Sequence, residues 1–100
     1  MDQQKEFDDA VQKINSLTVR PTDEEMLELY GLYKQSTVGN VNISKPYFWN
    51  TVERAKYDVW ESKKCMHPID AKKKYTKYAN AIIEKYSKKD YLMTIAKAYD

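Results

Sequence analysis

The chain has 100 residues, 42% of them hydrophobic and 32% charged, and its 17 basic and 15 acidic side chains leave a net charge of +2. That length suits one small domain; nine tyrosines and the apolar fraction exclude a disordered chain, and the near balance of charge excludes an acidic tail or a dedicated polyanion wrapper. One cysteine, Cys65, excludes an internal disulfide, and with the single His67 it is too little for a zinc site.

No GxGxxG, P-loop or GxSxG motif occurs, and no credible nucleophile–base pair stands out, so no enzyme, metal or cofactor is expected. Met1–Ala10 is charged throughout, which does not read as a signal peptide, and no apolar run is long enough to span a bilayer. A reducing, cytoplasmic setting is the expectation.

Two glycines and three prolines predict a helical chain. The first helix is expected from about Gln3 to Asn15, with Phe7, Ala10, Val11 and Ile14 on one face and Leu17 and Val19 tucking the next loop inward. The second opens at "RPTDEE", where Thr22 and Glu25 form a capping box behind Pro21 and three carboxylates meet the positive helix end. Met26, Leu29, Tyr30 and Tyr33 carry its apolar face, and Gly39 and Asn40 mark its end. The loop "VGNVNISKPYFW" is so apolar that it must pack on something or cover a site. A third helix is expected over Asn50–Lys64, with Val52, Ala55, Val59 and Trp60 inward. The fourth opens at "HPID" with Pro68 in its first turn. Its stripe is Ala71, Tyr75, Tyr78, Ala79, Ile82 and Tyr86, and Leu92, Ile95 and Tyr99 then form a continuation or a fifth short helix. Residues 1–88 read as one domain and 89–100 as a helical extension.

A few positions fit a plain core badly. At about 100° per residue, Tyr30 and Lys34 are i, i+4 neighbours, and Lys56 falls between Val52 and Trp60 on a side that should be apolar. Tyr75 stands within the fourth stripe, just after Lys72–Lys74. Singly, these are snorkelling lysines and a rim tyrosine. Together, phenols and ammonium groups beside apolar surface suit a ligand with phosphate at one end and hydrocarbon at the other.

The segment "PTDEEMLELYGLYKQSTVGNVN" resembles the second helix and following loop of the acyl-CoA-binding protein family, P-x-D-E-x-L-x-x-Y-x-x-Y-K-Q-A-T-x-G-D-x-N. "KPYFWNTVERAKYDVW" is similar to the family's third helix and "IDAKKKYTKYANAIIEKY" to its last, so the resemblance covers about Phe7–Tyr86. It implies an all-α, four-helix up-down-down-up bundle, with room for an extra C-terminal helix. It further implies a monomeric carrier that holds medium- to long-chain fatty acyl-CoA thioesters as an intracellular pool for acyl-CoA-using enzymes. No chemistry, nucleic acid or stable membrane insertion is expected of it. By motif position Tyr30 and Lys34 would contact the CoA head, Lys56 the ribose 3′-phosphate, and Tyr75 would close the site. Tyr33 would touch the ligand or support the site, and Met26 and Leu27 would line the acyl groove.

The chain departs from the pattern in places. Tyr57 replaces a tryptophan that would lie over the acyl chain, and Asn15 a lysine. Trp49 and Thr51 stand where an aliphatic residue and phenylalanine are usual, and "CMHPID" replaces a Ser/Thr-capped start, making His67 a poor cap. Two other functions are compatible with the residues: a nucleic-acid-binding helical module, and a helical protein-interaction module with an altered or lost ligand site.

Overall fold

The computed structural model describes residues 2–98, and the side chains of all of these but 89–91, 93–94 and 97–98. Its elements are α1 (Gln3–Asn15), α2 (Asp23–Thr37), α3 (Thr51–Glu61) and α4 (Pro68–Ala98). The Asp2 carboxylate caps α1 by accepting from the Gln4 amide at 3.0 Å. At α2 the capping box closes in both directions: the Glu25 amide donates to the Thr22 hydroxyl at 3.1 Å, and the Thr22 amide to the Glu25 carboxylate at 2.9 Å. His67 is a better cap than its residue type promised, because its Nδ1 accepts from the Ile69 amide at 3.1 Å. The third helix ends earlier than expected, at Glu61, and turn residues carry the chain to Cys65, which takes a left-handed φ of 71°.

The helices lie side by side in the order α1, α4, α2, α3. Contacts along each seam set their directions. Gln4 meets Lys72 and Phe7 meets Tyr75, so α1 and α4 run parallel. Glu25 meets Tyr86 while Tyr33 meets Tyr75, so α2 runs against α4. Gly31 touches Val59 and Lys34 overlies Trp60, so α3 runs with α2. The result is the up-down-down-up bundle, spread as a slab of 52 × 41 × 15 Å.

The core is built on the α4 stripe. Ala71, Tyr75, Ala79, Ile82 and Tyr86 are buried against Phe7, Ala10 and Ile14 of α1 and Leu29 and Leu32 of α2. Two alanines with no exposed surface let the neighbouring helices approach closely. α4 continues through Ala98 without a break, so the extension prolongs that helix instead of forming a separate one. Leu92 on it is exposed, and Tyr99 lies outside the described residues.

Two expectations about α2 and α3 need correction. α2 buries Leu32, Gln35 and Ser36, while Met26 and Tyr33 remain open to solvent. The helix is covered on two sides, by α4 and by α3, so no single apolar stripe describes it. On α3 the inward groups are the two large rings, Tyr57 and Trp60, whereas Val52 is 68% exposed. Tyr57 is therefore no cover for a groove; a hydrogen bond to Glu61, with burial adding, pushes its hydroxyl upward in pKa.

Candidate functional site

Gly31 decides how close α3 comes to α2. A Cβ there would stand 3.0 Å from the Val59 carbonyl oxygen and 3.1 Å from its Cγ2, so only glycine accepts this approach unstrained. Toward their N-termini the helices open into a groove of about 420 Å³. Met26, Leu27 and Tyr30 form its α2 wall, and Val52, Ala55 and Lys56 its α3 wall, with Arg20, Asp23 and Thr51 at the rim. Asp23 is the groove's one carboxylate, and Arg20 pairs with it at 2.8 Å.

A second hollow of about 280 Å³ lies on the other side of α2. Val11, Ile14 and Asn15 of α1, Tyr33 of α2 and Tyr75 of α4 surround it. Met26 and Tyr30 belong to both cavities and form the ridge between them. Tyr75 is in the floor, in a three-ring cluster with Phe7 at 5.1 Å and Tyr33 at 6.1 Å. Burial, with Tyr33 adding, pushes its hydroxyl up to about 12, so the phenol stays a proton donor throughout the physiological range. Among the described residues, the hydroxyls of Tyr30, Tyr33 and Tyr75 have no protein hydrogen-bond partner, and those of Tyr30 and Tyr75 are not sealed from solvent.

The two lysines are held by aromatic faces. Lys56 Nζ sits 5.0 Å from the Tyr30 ring centroid, with only a long 3.8 Å contact to Glu53. Lys34 Nζ sits 4.9 Å from the Trp60 ring and makes no ion pair among the described residues. A π face orients an ammonium group without using its N–H donors, so both remain able to bond an anion.

Of the residues singled out from the sequence, Met26, Leu27, Tyr30 and Lys56 meet in the groove, and Tyr33 and Tyr75 meet in the second hollow. Lys34 lines neither cavity and stands one turn beyond Tyr30. Sequence reasoning missed Arg20 at the groove rim, since a basic residue ahead of a capping box carries no periodic signal. It also missed what the rest of the Tyr-Lys-Gln motif does. Gln35 Nε2 donates to Asn40 Oδ1 at 3.0 Å and to the Met66 carbonyl at 2.8 Å. Asn40 Oδ1 also accepts from the Cys65 amide at 2.8 Å, and Trp60 Nε1 donates to the Gly39 carbonyl at 2.7 Å. These bonds lock the end of α2 to the α3–α4 turn.

Comparison with known proteins agrees with the fold. The family model described as "Acyl CoA binding protein" matches residues 4–79. The chain belongs to the acyl-CoA-binding protein family. It is 42% identical over 81 residues to acyl-CoA-binding protein 2 of Saccharomyces pastorianus, covering 81% of this chain and 93% of that one. The crystal structure of acyl-CoA-binding protein 2 from Oryza sativa superposes with a TM-score of 0.81 at 33% identity, over 85% of this chain and 92% of that one. A family structure from Moniliophthora perniciosa aligns over 97% of both chains, with a TM-score of 0.75 and 32% identity, and so reaches into the α4 extension. Among the described residues, no helix is long and apolar enough to cross a membrane.

Proposed function

We propose that the protein binds medium- to long-chain fatty acyl-CoA thioesters and holds them as a monomeric cytoplasmic carrier for acyl-CoA-using enzymes, with no chemical step of its own. The observation that carries this reading is the shared ridge. Tyr30 and Met26 separate an apolar groove from a hollow of free phenols, and Lys56 lies across the Tyr30 ring. A ligand with an acyl chain and a phosphorylated head needs those two environments side by side. Membership of the family, whose relatives are named for acyl-CoA binding, supports the same assignment.

In this reading Met26 and Leu27 receive the acyl chain. Lys56 and Lys34 meet phosphate charge, Lys34 from just outside the cavities. Tyr30, Tyr33 and Tyr75 donate hydroxyls or offer ring faces to the head. Each charge-assisted hydrogen bond is worth roughly 1.5–3 kcal/mol. Each buried methylene adds about 0.8 kcal/mol, so ten would offer about 8 kcal/mol before ordering costs. The head then sets identity while the chain dominates affinity.

Titration calorimetry with palmitoyl-CoA, free CoA and palmitate tests this directly. Tight binding of the thioester with weak binding of both halves is the expected result. Equal affinity for palmitate and palmitoyl-CoA would sink the head-group assignment, and no binding of the thioester would sink the carrier reading.

A further inference from the structure

The loop between α2 and α3 ends in a turn that the ligand site leaves unused. The Asn50 amide donates to the Tyr47 carbonyl at 3.0 Å, so Tyr47, Phe48 and Trp49 occupy positions that turns usually give to glycine, asparagine, aspartate or serine. These three residues are 67%, 74% and 62% exposed, and Ile43 nearby is 54% exposed. The loop therefore does not pack on the core as its composition suggested. Instead the rings pack on one another: Tyr47 stacks on Trp49 at 4.5 Å and 3°, and Phe48 meets Trp49 edge-on at 5.2 Å. Three such side chains, two-thirds open, expose about 300–500 Å² of mostly apolar surface, the size at which a patch marks an interaction site.

The chemistry of the patch selects its partner. Phe48 is wholly apolar, while Tyr47 and Trp49 pair an apolar ring with a polar group, the combination that settles at a membrane–water interface. From residue 38 to residue 52 the single charged side chain is Lys45, and no acidic group occurs. Behind the turn, the Arg54 guanidinium reaches the Pro46 carbonyl at 3.4 Å and pairs with Asp58 at 3.4 Å, so it braces the turn and leaves Lys45 as the tip's cation. Exposed interfacial rings beside a cation, with no acidic group in the segment, match an anionic lipid surface. The tip is also continuous with the groove, since Thr51 and Val52 follow it directly and both line the cavity.

We propose that Tyr47, Phe48 and Trp49, with Lys45, form a docking tip that inserts shallowly into anionic bilayers and sets the groove rim at the lipid surface. Its use in loading or unloading acyl-CoA rests on the carrier reading above, but the docking itself is tested without ligand. Trp49 is exposed while Trp60, the other tryptophan, is buried, so a fluorescence change on docking reports the tip.

The experiment is flotation and tryptophan emission of the full chain with vesicles of phosphatidylcholine alone and of phosphatidylcholine mixed with phosphatidylserine. The expected result is a blue shift and co-flotation with the mixed vesicles, quenching by brominated lipid, and weakening by salt. A Tyr47→Ser/Phe48→Ser/Trp49→Ser variant should lose at least about tenfold in vesicle affinity, and Lys45→Glu about tenfold on anionic vesicles only. Vesicle-free affinity of both variants for palmitoyl-CoA should match the parent. Failure of the parent to bind vesicles overturns the proposal, as does undiminished flotation of the triple-serine variant. A blue shift caused by palmitoyl-CoA in solution, with lost ligand affinity in that variant, would make the loop a ligand cover and overturn it too. A blue shift that grows with protein concentration without lipid would make it a self-association surface, with the same consequence.

Discussion

The segment from Tyr30 to Asn40 divides into two halves that use their polar groups in opposite ways. In the first half, Tyr30, Tyr33 and Lys34 make no hydrogen bond through their side-chain heads among the described residues, and Lys34 rests on the Trp60 ring. In the second half, Gln35 and Asn40 are bound to each other, to the Met66 carbonyl and to the Cys65 amide, and Gly39 turns the chain at a φ of 98° while receiving the Trp60 indole. Two consecutive turns of one motif thus separate by their bonding. Donors bonded by the fold, such as the Gln35 Nε2 group, serve stability even though Gln35 Oε1 is buried without a partner among the described residues, and donors left unbonded at a cavity edge are open to a ligand.

The largest effect should come from the open half. Lys34→Ala combined with Lys56→Ala removes both cations, and palmitoyl-CoA affinity should fall by about 3–6 kcal/mol on the worth of charge-assisted bonds. Thermal stability should barely move, because among the described residues Lys34 has no carboxylate partner and Lys56 only the 3.8 Å contact to Glu53. Calorimetry alongside a melting curve checks both halves of this statement, and unchanged affinity would remove these lysines from the site.

The closed half should respond in reverse. Asn40→Ala leaves the Cys65 amide and the Gln35 amide group each short of a partner, so stability should drop by about 1–3 kcal/mol in denaturant. Affinity of the folded fraction for palmitoyl-CoA should stay within a factor of two or three, on the order of 0.5 kcal/mol. A variant that melts normally yet binds poorly would show that the division drawn here is wrong. Tyr75→Phe is expected to be milder. It deletes one free donor from the floor of the hollow but keeps the ring packed on Phe7, costing about 0.5–1.5 kcal/mol in affinity and little in stability.

The fold was legible in the sequence wherever one helix face meets one seam. α4 is the clearest case, because Ala71, Tyr75, Ala79, Ile82 and Tyr86 repeat along a single buried stripe. α2 misled because α4 and α3 bury different sides of it, and the same double coverage hid Leu32 and Gln35 among polar neighbours. On α3, Trp60 is buried as its position indicated, but Tyr57 joins it in the interior and Val52 faces the groove instead. In the candidate site, Tyr30 and Lys34 could be set one turn apart by spacing alone, whereas Tyr75 meets Tyr30 and Tyr33 in the second hollow from a distant helix, which no local period encodes. Gly31 gave no sign of its function, since the tight contact with Val59 is set by another helix.

The smallest effect on ligand binding, and the one most specific to the closed architecture, lies at the opposite end of α2. Glu25 accepts from the Tyr86 hydroxyl, the Thr22 amide and Lys85, and these bonds, Tyr86 first, hold its carboxyl down to about 2 from an ordinary 4.5. A folded-state pKa below the unfolded one means that the stabilisation is complete above about 4.5 and is lost as pH falls from there toward about 2. Many carboxylates contribute to any acid melt, so the useful quantity is the difference between the parent and Glu25→Gln. That difference should be flat from neutrality down to about 5, then shrink through the acid window, because only the parent has this ionisation to lose. Tyr86→Phe, which deletes the largest contribution, should narrow the window from below. Palmitoyl-CoA binding by either variant at neutral pH should match the parent, since Glu25 lines neither cavity. A difference that stayed constant to the lowest pH measured would mean that the Glu25 bonds do not survive in solution, and the α2–α4 lock would then rest on packing alone.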